Sequence, residues 1–239
     1  MATYVLVHGA WHGAWCWDKV VPLLERAGHS VEALDLPGHG RDKTPIPEVT
    51  LQAYADSVCR ALDAKAEPVV LAGHSMGGIV ITQSAERRPV KIKTLVYLTA
   101  FLLRNGETLL HVAQGDTEAL VLPNLVMAPD ESYATIRDEA IREVFYGDCT
   151  DEDVSRARSL LVPQATAPFA TPMSTTEANF GRVGRVYIEC LRDRAISPSV
   201  QEAMYAALPC QKVITMDTDH SPFFSAPEEL AAHLVSLAS

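Results

Sequence analysis

The stretch Val69-Val70-Leu71-Ala72-Gly73-His74-Ser75-Met76-Gly77-Gly78-Ile79-Val80 constrains the fold more than any other part of the chain. Val69 to Ala72 are four apolar residues in a row, two of them β-branched. Such a run suits a strand covered on both faces, as in a parallel sheet. Ile79 to Ala85 then carries a helical pattern. Between them, Gly73-x-Ser75-x-Gly77 has the spacing of a nucleophile elbow, a tight strand-to-helix turn. The turn forces its central residue into a strained backbone conformation. Small residues two before and two after let strand and helix approach without clashing. The expected result is a hydroxyl raised at the carboxyl end of a sheet, with the Met76 amide beside it at a helix N-terminus. Five residues with three fixed recur by chance, so the rest of the chain must supply a base, an acid and donors for an oxyanion.

The chain around this stretch alternates strand and helix. Thr3 to Val7 reads as a first strand and Trp17 to Ala27 as a helix stopped by Gly28. Ser30 to Leu34 is a second strand, and Thr50 to Ala66 a helix with Leu51, Tyr54, Val58 and Leu62 at spacings of three and four. Lys93 to Thr99 follows as another strand. Val183 to Leu191, Ser199 to Leu208, Lys212 to Met216 and Pro227 to Leu237 then read as strand, helix, strand and closing helix. This order predicts an α/β fold, a doubly wound and mostly parallel sheet of about six strands. From about Leu102 to Arg182 no βαβ unit is visible. Helices are expected over Asp130 to Phe145 and Thr150 to Leu161, and a loop over the proline-rich Pro163 to Pro172. The reading is a core over 1–101 and 183–239, interrupted by a helical cap over 102–182. The cap acids Asp138, Glu139, Glu143, Asp148, Asp151, Glu152 and Asp153 are expected on a solvated outer face.

Charge and cysteine usage remove several function classes. A formal charge of −10 argues against nucleic acid or an anionic membrane as partner. Five cysteines, Cys16, Cys59, Cys149, Cys190 and Cys210, are odd in number and widely spaced, which fits neither a disulfide framework nor a C-x-x-C site. Reduced thiols in a cytoplasmic protein are the expectation. The N-terminus reads as a strand and not as a signal peptide, and no apolar run approaches the ~18 residues of a membrane span.

A serine hydroxyl is a poor nucleophile at neutral pH and needs a base. Of the histidines after Ser75, His220 directly follows the last predicted strand, at the sheet edge that carries the elbow. His111 lies in the cap without a placed acid, and His233 lies inside the closing helix. The acid should follow the preceding strand, where Asp193 can hold the imidazole in the right tautomer. Asp217 and Asp219 are rivals, too close in sequence to His220 to reach its far nitrogen easily. A surface ion pair with Arg192 or Arg194 is the bland alternative for Asp193. Two amides must face the developing oxyanion, and losing one such donor costs roughly 10²–10³ in rate. Met76 and Ala10, in the loop after the first strand, are the expected pair. His8 and His12 could suggest a metal, but they lie in a loop, without the helix and glutamate of a zincin. No metal and no cofactor are implied.

With these residues in place, the sequence resembles the α/β-hydrolase superfamily, and within it the methylesterase and hydroxynitrile lyase family with its bacterial carboxylesterases. The likeness rests on Val5-Leu-Val-His-Gly-Ala-Trp-His-Gly-Ala-Trp15, Ala27-Gly-His-Ser-Val-Glu-Ala-Leu-Asp-Leu36, Gly73-His-Ser-Met-Gly-Gly78, Val186-Tyr-Ile-Glu-Cys-Leu-Arg-Asp193 and Asp219-His220, with Cys149 to Leu161 in the cap. The resemblance implies Ser75 as nucleophile, His220 as base, Asp193 as acid and the amides of Ala10 and Met76 as the oxyanion hole. Plant lyases of this family carry threonine at the position of Gly9 and lysine at that of Ser221, so ester hydrolysis is expected here. Pro37-Gly38-His39-Gly40 is more typical of bacterial members. Bacterial esterases that cleave pyrethroids look similar at the N-terminus and elbow, which makes pyrethroid-type esters a candidate substrate. The expected partner is a small hydrophobic ester, with a homodimer left open. A hydroxynitrile lyase and a ligand receptor retaining the triad are the alternatives.

Overall fold

The computed structural model describes residues 1–238. The chain begins with β1 (Thr3–Val7), α1 (Val21–Arg26), β2 (Ser30–Leu34), α2 (Leu51–Asp63), β3 (Val69–His74), α3 (Gly77–Arg87) and β4 (Ile92–Leu98). After an insertion it resumes with β8 (Arg185–Cys190), α8 (Pro198–Ala207), β9 (Lys212–Met216), α9 (Pro222–Ser225) and α10 (Pro227–Ser236). The six core strands form one sheet in the order β2-β1-β3-β4-β8-β9, parallel throughout. This is the expected α/β-hydrolase fold.

Local chemistry explains the elements. All six residues of β3 are buried, as a central strand flanked by β1 and β4 requires. The Thr50 side chain accepts from the Ala53 N–H at 3.0 Å and starts α2, whose buried face is Leu51, Tyr54, Val58 and Leu62. Ser197 caps α8 in the same way. Helices α2 and α3 pack against each other, as do α1 and α10, in two pairs flanking the sheet. The Tyr4 hydroxyl in β1 donates to the Leu234 carbonyl in α10 at 2.9 Å, tying the first strand to the last helix. Among the described residues, no helix is long and apolar enough to cross a membrane.

The insertion holds α4 (Leu109–Gly115), β5 (Leu125–Met127), β6 (Tyr133–Ile136), α5 (Ile141–Phe145), α6 (Asp151–Leu160), β7 (Gln164–Ala165) and α7 (Ala167–Ala170). It differs from the expected helices in one respect. Strands β5, β6 and β7 form a small antiparallel sheet, so the helix expected over Asp130 to Phe145 is confined to α5, after a 3₁₀ turn at Asp138–Ala140. Tyr133-Ala134-Thr135-Ile136 alternates half-buried and buried and pairs on both sides, which overrides the helical spacing of Ile136, Ala140, Ile141 and Val144. The acids of the insertion are not all on a solvated face. Asp153 is buried and paired to Lys19 at 2.8 Å, joining α6 to the core.

Candidate active site

Ser75 stands between β3 and α3 with φ of +54°, in the left-handed region that non-glycine residues seldom enter. The backbone around it is tied down. Its N–H donates to the Leu98 carbonyl at the end of β4 at 3.3 Å, and its own carbonyl accepts from Gly78 and Phe101 at 3.0 and 3.1 Å. Gly73 makes the turn possible, since a Cβ there would lie 2.6 Å from the Gly77 carbonyl oxygen. These features are what an elbow needs to expose its central hydroxyl.

The carboxyl end of β9 leads into Asp217-Thr218-Asp219-His220, and that of β8 into Arg192-Asp193. The two loops meet. His220 donates through Nδ1 to Asp193 Oδ2 at 2.6 Å, with both side chains buried. The other carboxylate oxygen, Oδ1, accepts from the Ala195 and Ile196 N–H groups at 2.6 and 2.9 Å. The Thr99 hydroxyl, just past β4, also donates to Oδ2. Asp193 therefore takes four hydrogen bonds. The rival acids face elsewhere. Asp217 pairs with Arg192, and Asp219 accepts from the Asp148 and Ser221 N–H groups and the Ser225 hydroxyl. Arg192 also binds Asp148, and Arg194 binds Glu143, so neither arginine takes Asp193. His111 is exposed on α4, and His233 faces Glu229 on α10.

His220 is brought to the elbow by its neighbours. Its ring lies 4.5 Å from that of His74, the residue before Ser75. His74 donates through Nε2 to the His220 carbonyl at 2.8 Å. The Phe145 ring, from α5, covers it from the cap side at 5.8 Å.

Two further histidines hold the loop after β1. His8 donates through Nδ1 to the Gly9 carbonyl at 2.7 Å and accepts the Leu36 N–H on Nε2 at 3.1 Å, which fixes its tautomer. The peptide so gripped is the one that carries the Ala10 N–H. His12 donates from Nδ1 to the Ala10 carbonyl at 2.7 Å and takes the Tyr146 hydroxyl on Nε2 at 2.6 Å. Burial pushes the imidazoles of His8 and His74 well below their usual range and that of His12 down to about 3, so all three are neutral. Ring nitrogens at His8 and His12 are taken up by hydrogen bonds to the protein. Among the described residues the N–H groups of Ala10 and Met76 have no intramolecular acceptor. No His/Cys/Asp/Glu cluster with metal-binding geometry occurs among the described residues.

Ala10, Ser75 and Met76 line one cavity, between core and cap. Its remaining walls are apolar, with Trp11, Phe101, Leu109, Leu125, Phe145 and Phe169 among them. Ser75 is the only polar residue in the lining. Such a cavity admits a small apolar molecule and offers polar groups only at one point. Of the residues expected from the sequence, the structure brings His220 to Asp193 and puts Ser75, Ala10 and Met76 around one cavity. The sequence did not point to the contacts that Thr99, His8 and His74 make here. For His8 the signal was present, a histidine directly before the Gly9-Ala10 turn.

The sequence model of the Alpha/beta hydrolase family matches residues 4–233. Methylesterase 9 of Arabidopsis thaliana is 32% identical, over 100% of this chain and 98% of that protein. The pyrethroid hydrolase of Sphingobium wenxiniae is 34% identical, over 98% of this chain and 86% of that protein. The crystal structure of a pyrethroid hydrolase from Sphingobium faniae superposes with a TM-score of 0.88 at 32% identity, covering 99% of this chain and 97% of that one.

Proposed function

The chain belongs to the Alpha/beta hydrolase family, and from that premise we propose that it is a serine carboxylesterase acting on hydrophobic esters through an acyl-enzyme. Esterase activity itself follows from methylesterase and pyrethroid hydrolase relatives that align along nearly the whole chain. The observation that carries the finer reading is the buried 2.6 Å contact from His220 to Asp193 beside an elbow serine at φ +54°.

In this reading Ser75 Oγ attacks the ester carbonyl while His220 Nε2 takes its proton. Asp193 holds the Nδ1–H and stabilises the imidazolium that forms. The Ala10 and Met76 N–H groups receive the oxyanion. His220 then returns its proton to the departing alcohol. A water, deprotonated in turn by His220, attacks the acyl-enzyme and releases the acid.

The apolar cavity supports esters whose acid and alcohol parts are both hydrophobic, and a pyrethroid-type ester meets that description. A charged substituent would lose its hydration there without gaining a partner. Cyanohydrin cleavage is disfavoured. A Cβ at Gly9 would lie 2.8 Å from the Ser75 Cβ, so the threonine of the plant lyases does not fit this loop as it stands. Ser221 holds no charge where those lyases have lysine.

The test is a panel of p-nitrophenyl, aryl and pyrethroid-type esters, each with a charged counterpart, run beside mandelonitrile. Hydrophobic esters should turn over at least about tenfold faster than their charged counterparts. A preference for charged esters, or mandelonitrile cleavage comparable to ester turnover, would overturn the reading. Equal, negligible ester turnover by wild type and Ser75→Ala would point to a receptor that retains the triad.

A further inference from the structure

Among the described residues, four non-glycine residues have positive φ: Trp11, Ser75, Thr99 and Glu131. Ser75 is accounted for by the elbow. Thr99, at φ +36°, is the least expected of them, because a β-branched side chain is a poor fit to that region. Strained residues of this kind persist where the surroundings over-determine them, and they cluster at functional sites.

The surroundings of Thr99 point one way. Its N–H donates to the Ile188 carbonyl in β8 at 2.8 Å, so its backbone is locked between β4 and β8. The residue is fully buried. Its hydroxyl donates to Asp193 Oδ2, the same oxygen that accepts the His220 Nδ1–H. Oδ1 is already occupied by the Ala195 and Ile196 amides. Leu98, immediately before Thr99, holds the Ser75 amide through its carbonyl. The end of β4 therefore touches both the nucleophile's backbone and the acid's carboxylate.

We propose that Thr99 is a positioning residue of the triad, whose hydroxyl shares the Asp193 oxygen with His220 and thereby sets how strongly the carboxylate holds the imidazolium. The proposal rests on the Ser75-His220-Asp193 reading. A hydrogen bond to a carboxylate draws charge from it and makes it a weaker base. With Thr99 in place, the imidazolium formed during acylation is held less tightly and gives up its proton more readily. Without the hydroxyl, Oδ2 is free to bind the imidazolium more strongly, and His220 stays protonated to higher pH.

Other titratable groups around the pair do not take this role. His74 and His12 face His220 but are neutral, because burial lowers both. Tyr187 and Cys190 lie near Asp193, and burial raises both, so they too are uncharged. Asp219 is turned to Asp148, Ser221 and Ser225, and Asp116 to the Ser197 amide. Arg192 and Arg194 are spent on Asp148, Asp217 and Glu143.

The test compares wild type, Thr99→Val and Thr99→Ser. Valine keeps the shape and the β-branch and removes only the hydroxyl. The acid limb of kcat/KM against pH should move up by roughly half to one pH unit in Thr99→Val. Thr99→Ser should restore the wild-type limb, and the downfield proton resonance of His220 Nδ1–H should move in the valine variant alone. A packing role would lower thermal stability without moving the limb or the resonance. An unmoved limb in Thr99→Val overturns the proposal. If that variant does not fold, Thr99→Ala takes its place under the same criterion. Ser75→Ala, assayed alongside, separates the two claims. Ester turnover that survives in it sinks the triad reading, whereas its loss together with an unmoved valine limb sinks only the role of Thr99.

Discussion

At the scale of single residues, Gly9 and His8 shape the loop that carries the Ala10 amide, the proposed oxyanion donor. A Cβ at Gly9 would meet the Ser75 Cβ at 2.8 Å and His74 Nδ1 at 3.0 Å. Both neighbours are on the elbow and cannot retreat. Gly9→Ala should therefore displace Ser75 by a few tenths of an ångström or more and, on the proposed mechanism, lower kcat by about 100-fold, since small misplacements are amplified in rate. Steady-state kinetics on a soluble aryl ester checks this, with circular dichroism to confirm the fold. His8→Leu removes both the donor to the Gly9 carbonyl and the acceptor for the Leu36 N–H. Each unpaired buried group costs about 1–3 kcal/mol of stability. A thermal midpoint lowered by several degrees should accompany a fall in kcat of on the order of tenfold, with KM nearly unchanged. A KM effect alone would mean that His8 does not act by positioning the Ala10 amide.

At the scale of elements, the cap is bound to the core through the same loop. Trp11, at φ +62°, donates its indole Nε1 to the Ala134 carbonyl in β6 at 2.9 Å and accepts the Val162 N–H at 3.0 Å. Gln164 in β7 accepts from the Trp11 N–H and from His39, and donates to the Tyr54 hydroxyl of α2. The cap sheet is thus fastened to the loop carrying the Ala10 amide. Trp11→Phe removes the indole bond and keeps most of the ring. It should cost about 1 kcal/mol of stability and raise KM for bulky esters more than for acetyl esters, which matched kinetics on the two classes would show. Elements also mark where the sequence stopped being readable. The site sits on the ends of regular parallel strands, and Lys212–Met216 and Asp193 follow from apolar runs and their punctuation. The β5-β6-β7 sheet does not. Its strands are two to four residues long, and its last partner, Gln164, is joined to Ala134 from thirty positions away, so no local pattern announces it. Thr99 was hidden for a related reason. As the last residue of an apolar run it looked like strand, and its strain exists only because β8 and Asp193 meet it there.

At the scale of the whole molecule, the buried imidazoles couple stability to pH. His8, His12, His39 and His74 all have protonation disfavoured, chiefly by burial. In the unfolded chain they titrate near 6.5. Below that pH the unfolded state binds protons that the folded state refuses, so stability is full above pH 6.5 and is lost as pH falls, for His12 down to about 3. Each such group contributes up to about 1.4 kcal/mol per pH unit. Urea midpoints should fall steeply between pH 6.5 and 4.5, and a flat profile there would mean these histidines are not held neutral. The central claim is more specific than fold or stability, namely that Ser75 carries the acyl group. The most direct measurement is mass spectrometry of the enzyme quenched in acid during turnover of a slow hydrophobic ester. The account predicts the mass of the intact protein raised by one acyl group, the adduct on the peptide containing Ser75, and no adduct in Ser75→Ala. An acyl group found on another residue, or ester turnover undiminished in Ser75→Ala, would contradict it.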